Sequence, residues 1–436
     1  MLRALAILTI IVAAALHAAE PEPFVVHEWG VWIRSQARVA DSPEAFHSTI
    51  SPPVRSLLGP PAELADDLPD FVLHHDKTYT PRQEARFWKK PVIHLYGSEN
   101  LKVTVQVGTP LGKPVAYWPK PAFSERVVWN FGAGVSEVTA LTWSGKLRAA
   151  AGEKIPLFVK DGHWWKTLRD VSAKYIETEN GTERFLFYEA MAVQEQPLKS
   201  TVSSTALTLR NSGTDDSGPI VVLIHDGKSR HFIAVKNVAA GESFFVDKTA
   251  MLAADDADEA LLQTCREQWE KFGMSREESR AIVETWKPDL LQKTGFLVIS
   301  QMPRELYDQM FPIAITPEPS KLVRVGLVFD TLPGEPERLG WLPALRAKMA
   351  PWVKDLSDDD FDVRANAIQR FAVSGDIAAP LMQELAKYDD ASLRETAAKI
   401  TAKWGLPSVV LRKPDVIKPE AKPPQARPAN PQPGDF

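Results

Sequence analysis

Cys265 is the only cysteine in the 436-residue sequence. No intramolecular disulfide can form, so stability has to come from buried apolar surface. Positive charge is not in surplus: 51 Lys and Arg stand against 56 Asp and Glu, a net charge of −5. Nothing is left over to neutralise a phosphate backbone, which sets nucleic acid aside as a partner. Beyond the N-terminal leader no apolar run reaches the ~20 residues of a membrane-spanning helix, so no membrane span is expected in the mature chain. Common catalytic signatures are missing as well: there is no His-Glu-x-x-His, Gly-x-Ser-x-Gly, Gly-x-Gly-x-x-Gly or Cys-x-x-Cys. Gly108-Thr-Pro-Leu-Gly-Lys113 is one residue short of a phosphate loop and runs into Pro114, so it reads as a turn. Asp358-Asp-Asp-Phe-Asp362 lacks the glycine and distal glutamate of a calcium loop and suits the acidic start of a helix.

What is present begins with an address. Arg3 precedes the unbroken apolar run Ala4 to Leu16, and small residues follow at Ala18-Ala19. This is the pattern of a secretory signal peptide over 1–19, and it places the mature protein in the periplasm or outside the cell. Hydrophobic residues make up 44% of the chain and charged residues 25%, the balance of a globular protein with a sizeable core, and the length suggests two to three domains. Cys265 falls at helical spacing among apolar residues and reads as a buried, inert thiol.

The organisation expected is a mainly β body at 20–330, a helical-repeat segment at 339–405 and a proline-rich, disordered tail at 406–436. Phe24-Val-Val-His-Glu-Trp-Gly-Val-Trp-Ile-Arg34 has the period-two, β-branched and aromatic character of a first strand. A Pro-rich stretch over 41–90 reads as a loop excursion, and strands resume at 92–96, 101–107, 127–129, 138–143 and 157–159. Asn180-Gly181 and Asp226-Gly227, each between apolar runs, predict two hairpins with two-residue turns. Around them the short-strand rhythm of 170–250 predicts a β-sandwich. A helical pair is expected over 255–293, its second helix opening at Ser275 with Glu278 in the capping-box position. Strands return at 296–300, 311–315 and 322–329, so the helices are an insertion in or beside the sheet.

From Leu339 the pattern is helical. Asp362-Val-Arg-Ala-Asn-Ala-Ile aligns with Ser392-Leu-Arg-Glu-Thr-Ala-Ala at an offset of 30 residues, matching Arg364 to Arg394 and Ala367 to Ala397. This self-similarity resembles a short HEAT-type repeat of fewer than two full units. Because about three repeats are needed to stand alone, the segment is expected to pack on the β body or on a partner.

Candidate chemistry rests mainly on histidine. A strand puts His27 on the face of Val25, Trp29 and Val31, while Glu28 points the other way with Val26 and Trp32, so the two cannot chelate one ion without a bulge. In His74-His-Asp76 an extended chain places His74 and Asp76 on one side, an imidazole and a carboxylate that suit a divalent transition metal. His94, His27 or Glu28 would complete that site if the fold brought them near. His225 and His231 flank the second hairpin, where a two-residue turn pairs Val222 with His231 and leaves the two histidines on opposite faces. Trp164-Trp165 is the candidate for stacking on sugar rings: on a strand one of the two indoles faces out.

His27-Glu-Trp-Gly30 resembles the opening of a group of uncharacterised secreted bacterial proteins with a similar His-Glu-Trp-Gly-Thr-Phe stretch. Lys90-Pro-Val-Ile-His-Leu-Tyr96, Phe185-Leu-Phe-Tyr188, Ala240-Gly-Glu-Ser243 and Ala281-Ile-Val-Glu-Thr-Trp286 are similar to later landmarks of that group, over about 24–330. Here Val31-Trp32 replaces the Thr-Phe pair and His94 stands in an aromatic's place. The resemblance implies export and architecture, and no activity. Three functions remain in play: a non-catalytic, cofactor-free interaction protein that meets another envelope or extracellular protein, a metal-dependent hydrolase holding one divalent transition ion, and a polysaccharide-binding protein.

Overall fold

The computed structural model describes residues 22–35, 68–74, 86–110, 112–130, 135–151, 159–192, 196–202, 206–225, 228–247, 252–253, 257–292, 294–332, 342–374 and 378–404. The signal peptide, most of the 41–90 stretch, the Asp226-Gly227 turn and the tail lie outside these residues.

The first strand forms as the alternation dictates: β1 spans Val25–Ser35. It is followed by β2 (Leu73–His74), β3 (Arg86–Tyr96), β4 (Lys102–Gly108), β5 (Gly112–Trp118), β6 (Ala122–Asn130) and β7 (Val135–Arg148). The helix α1 (Trp165–Arg169) precedes β8 (Tyr175–Thr178), β9 (Gly181–Glu183) and β10 (Phe185–Ala192). Next come β11 (Leu198–Val202), β12 (Ala206–Asn211), β13 (Ile220–His225), β14 (Arg230–Val235), β15 (Ser243–Asp247) and β16 (Leu252–Ala253). The helical pair is α2 (Ala257–Lys271) and α3 (Arg276–Gln292), and β17 (Gly295–Gln301), α4 (Arg304–Met310), β18 (Ile313–Thr316) and β19 (Lys321–Leu332) close the body.

Ten strands form one sheet in the order β16-β14-β13-β17-β19-β1-β3-β10-β5-β2. β1 pairs in parallel with β19 and antiparallel with β3, so the first and last strands of the body lie side by side at its centre. One face of this sheet carries α1, α2 and α3: Trp29, Val31, Phe185 and Val325 share a core with Trp165, Trp269 and Trp286. Against the other face lie two smaller sheets. One has six strands, β18-β4-β7-β8-β9 with β6 on β7, and packs Val105, Leu141 and Trp143 against Val26, Trp32 and Tyr188. The other, β11-β12-β15, packs Leu207, Leu209 and Val246 against Ile220, Val222 and Val298. The protein is therefore mostly β, as expected, with the helical pair set on the sheet.

Within 170–250, β11, β12 and β15 pack face to face on β13 and β14 as two sandwich-like layers, but the segment does not stand as a separate unit. Its strands go to all three sheets, because β10 pairs with β3 and β5, and β13 with β17. Both hairpins also differ in register from expectation. In the first, Thr178 pairs with Gly181, so the turn is Glu179-Asn180. Gly181 is already strand at φ +151, where the Trp118 ring would lie 3.3 Å from an added Cβ. The positive φ at this strand position favours glycine, and the nearby Trp118 ring leaves little room for a side chain. In the second, His225 pairs with Arg230 and Ile224 with His231, two residues out of the expected register. A shift of two preserves facing, so His225 and His231 still point to opposite faces.

At Gly145 in β7 the neighbouring strand comes close: an added Cβ would sit 2.5 Å from the carbonyl oxygen of Glu177 in β8. Gly145→Ala is expected to destabilise the protein by about 1–3 kcal/mol, the usual range for overpacking. A lowered denaturation midpoint checks this.

After the body, α5 (Leu342–Asp355), α6 (Phe361–Ser374), α7 (Ala379–Leu385) and α8 (Ala391–Trp404) build a core from Met349, Ala367, Phe371, Leu381, Ala397 and Ile400, among others. Asp360 Oδ1 accepts the backbone N–H of Asp362 at 2.7 Å, the helix-start role expected for this acidic run. Among the described residues no helix is long and apolar enough to cross a membrane.

Candidate functional site

Two places concentrate unusual side chains. The first is on the helix-covered face of the large sheet. β1 and β3 pair so that His27 stands directly opposite His94, and Tyr96, two residues further along β3, shares that face. Glu278 enters from the first turn of α3. Its capping box forms: the Glu278 N–H donates to Ser275 Oγ (3.1 Å) and the Ser275 N–H donates to Glu278 Oε2 (2.8 Å). The same carboxylate reaches the sheet, where His27 Nδ1 lies 2.8 Å from Oε2 and Tyr96 donates to Oε1 at 3.0 Å. His94 Nδ1 stands 3.5 Å from Oε1, too long for a good hydrogen bond.

His94 is fully buried, and neither of its ring nitrogens has a hydrogen-bond partner. Leaving a buried polar atom unbonded costs about 1–3 kcal/mol. The neighbouring Trp29 ring, 6.3 Å away between centroids, has a buried, unbonded Nε1 as well. His27 keeps a window to solvent, its side chain being 13% exposed. Burial opposes ionisation of Glu278, but the His27 and His94 imidazoles outweigh it and hold the carboxyl well below its ordinary 4.5. Burial and the adjacent Glu278 push the Tyr96 hydroxyl upward, so it stays a donor.

The sequence-derived candidates divide. His27 and His94 come together. Glu28 is on the opposite face, as the alternation requires, and belongs to a buried ion pair: Arg324 Nε donates to its Oε2, and Tyr188 donates to Oε1 at 2.6 Å. Arg324 also bonds Asp308 (2.5 Å) and the Phe311 carbonyl (2.6 Å), with Tyr307 4.1 Å below the guanidinium. His74 is on β2, three strands from β3 and roughly 14 Å away at the usual strand spacing, so the fold does not bring it to His94. Asp76 lies outside the described residues. Among those residues, no group of three or more His, Cys, Asp or Glu is placed so that it could hold a metal ion as it stands.

The tryptophan pair corrects the stacking candidate. Trp164 and Trp165 stand at the start of α1 rather than on a strand, and both are buried, at 8% and 0% exposure. Trp165 Nε1 donates to Glu183 (3.1 Å), and Trp164 covers the Lys90 ammonium at 4.4 Å together with Trp286 at 4.9 Å. Neither indole is presented to a sugar. Cys265 is buried and its thiol is pushed up to about 12 by burial, the inert state expected.

The second place is the helical segment. Phe361 (72% exposed) and Tyr388 (42%) are the exposed large hydrophobic residues among those described. Phe361 is the first residue of α6 and Tyr388 lies in the turn between α7 and α8; α6 and α8 pack together. Arg364 Nη1 donates to the carbonyls of Asp358 and Asp359, and Arg394 Nη1, 30 residues on, to those of Tyr388 and Asp389. Ala367 and Ala397 are both fully buried. Around the two aromatics Asp359, Asp360, Asp362, Asp389 and Asp390 are exposed. No family model, curated protein or solved structure matches this chain.

Proposed function

We propose that the chain is an exported interaction or scaffold protein that meets another envelope or extracellular protein through the N-terminal ends of α6 and α8, in a helical segment of HEAT type. The observation that carries this reading is the exposure of Phe361 and Tyr388, each with exposed carboxylates next to it in sequence. The Arg364 guanidinium lies 6.0 Å from the Phe361 ring and Lys387 adjoins Tyr388, but the exposed charges next to both aromatics are mainly acidic, which suits a partner surface that offers apolar contact with Lys or Arg around it. The leader sequence and the resemblance of His27-Glu-Trp-Gly30 to secreted proteins support export. The offset of 30 residues, with Arg364 and Arg394 making equivalent contacts, supports the repeat.

Both aromatics are exposed, so removing them leaves the core intact. The double variant Phe361→Ser, Tyr388→Ser is expected to melt within about 1 °C of the parent, given that surface changes usually stay within ±0.5 kcal/mol. The full-length variant, purified from the cells that make it and compared by quantitative mass spectrometry, should lose a protein that the parent retains. The parent should lose the same protein at high salt, as charge complementarity requires. Identical profiles for parent and variant would contradict the proposal.

A further inference from the structure

We propose that His27, His94 and Glu278 bind one divalent transition metal ion, of the zinc or iron(II) class, beneath the N-terminus of α3. The donor set is two imidazoles and one carboxylate, the combination that such ions take in many proteins. Opposed positions on β1 and β3 supply the histidines, and the first turn of α3 supplies the carboxylate. The donor atoms are already neighbours: 2.8 Å between His27 Nδ1 and Oε2, and 3.5 Å between His94 Nδ1 and Oε1. Ligand bonds of about 2.0–2.1 Å set ligand-to-ligand edges of about 2.9–3.4 Å in octahedral and tetrahedral sites; one of these separations is slightly shorter and the other slightly longer, so the carboxylate has to shift to take an ion.

A second observation is independent of that clustering. His94 is wholly buried with both ring nitrogens unbonded, an arrangement that a purely structural histidine avoids by hydrogen bonding. A metal on Nδ1 satisfies one of the two nitrogens. As the residues stand, Glu278 bonds His27 and Tyr96, and among the described residues no three donors, these included, are placed to hold an ion without rearrangement. Loading therefore requires a small turn of the carboxylate and transfer of the His27 Nδ1 proton to Nε2, which leaves the ring neutral and a lone pair on Nδ1. The partial exposure of His27 gives the ion its way in. Tyr96 remains hydrogen-bonded to the carboxylate and orients it, as outer partners of metal ligands commonly do.

The test uses the full chain without a histidine tag, stripped by chelator and titrated with zinc or with cobalt(II). About one ion per chain should bind, the melting temperature should rise with ion concentration, and cobalt should give the visible absorption of a nitrogen- and oxygen-ligated site. His94→Ala and His27→Gln should each lower affinity by more than the roughly 10–100-fold that outer-shell changes cost, while His74→Ala leaves it unchanged. If His94→Ala does not fold, His27→Gln at the partly exposed position decides. A parent chain that takes up no ion, or an affinity that survives in His27→Gln, would overturn the proposal.

Discussion

Replacing Arg324 by methionine is expected to lower stability by about 3–5 kcal/mol, more than overpacking at Gly145 costs. The loss comes from Glu28, which is left fully buried without its cation. Arg324 lies on β19, Glu28 on β1, Tyr188 on β10 and Asp308 on α4, so this one guanidinium ties the centre of the sheet to the helix beneath it. Adding Glu28→Gln to Arg324→Met should recover part of the loss, because a neutral amide costs less to bury than an unpaired carboxylate. Denaturant midpoints of the two single variants and the double variant give the coupling directly. A coupling near zero would mean that the pair contributes nothing beyond its separate burial.

The second large effect is dependence on pH through Glu278. Its folded-state pKa is depressed, so the stability it confers is present above the ordinary carboxyl value of 4.5 and is lost as pH falls below that toward the folded value. Acid should therefore weaken the parent progressively below about pH 5. Glu278→Gln should remove this share of the acid dependence while keeping the cap, because Ser275 still accepts the N–H of residue 278 and a glutamine amide oxygen can accept the Ser275 N–H. Unfolding measured from pH 7 to pH 3 checks the sign. A variant whose acid curve parallels that of the parent would show that Glu278 titrates normally in the folded chain.

Local pattern and distant contact contribute differently to what the sequence reveals. The alternation in 24–34 places His27 and Glu28 on opposite faces, and the structure keeps them there because β1 is regular through that pair. Only after Trp29 does the register slip, where β3 carries an extra residue at Lys90, φ 51. The capping box at Ser275 and Glu278 is legible because it is closed within four residues. That the same carboxylate lands between His27 and Tyr96 is not legible, since it depends on how α3 docks on a sheet whose strands lie far apart in sequence. The same holds for Arg324, 296 residues from Glu28. Trp164-Trp165 misleads because two adjacent aromatics look equally at home on a strand or at a helix start. Asn180-Gly181 misleads because the glycine serves a positive-φ strand position packed against Trp118 of β5, not the turn itself. In the helical segment the repeat offset is readable, whereas the exposure of Phe361 and Tyr388 depends on the packing of α6 and α8.

Hydroxyl-radical footprinting of the full chain, alone and mixed with an extract of the envelope in which it is expected to work, reads the solvent access of Phe361 and Tyr388 directly. Oxidation of both should fall in the extract, return when salt is raised, and leave peptides of the β body unchanged. Equal oxidation of the two aromatics with and without the extract would contradict the proposed interaction surface.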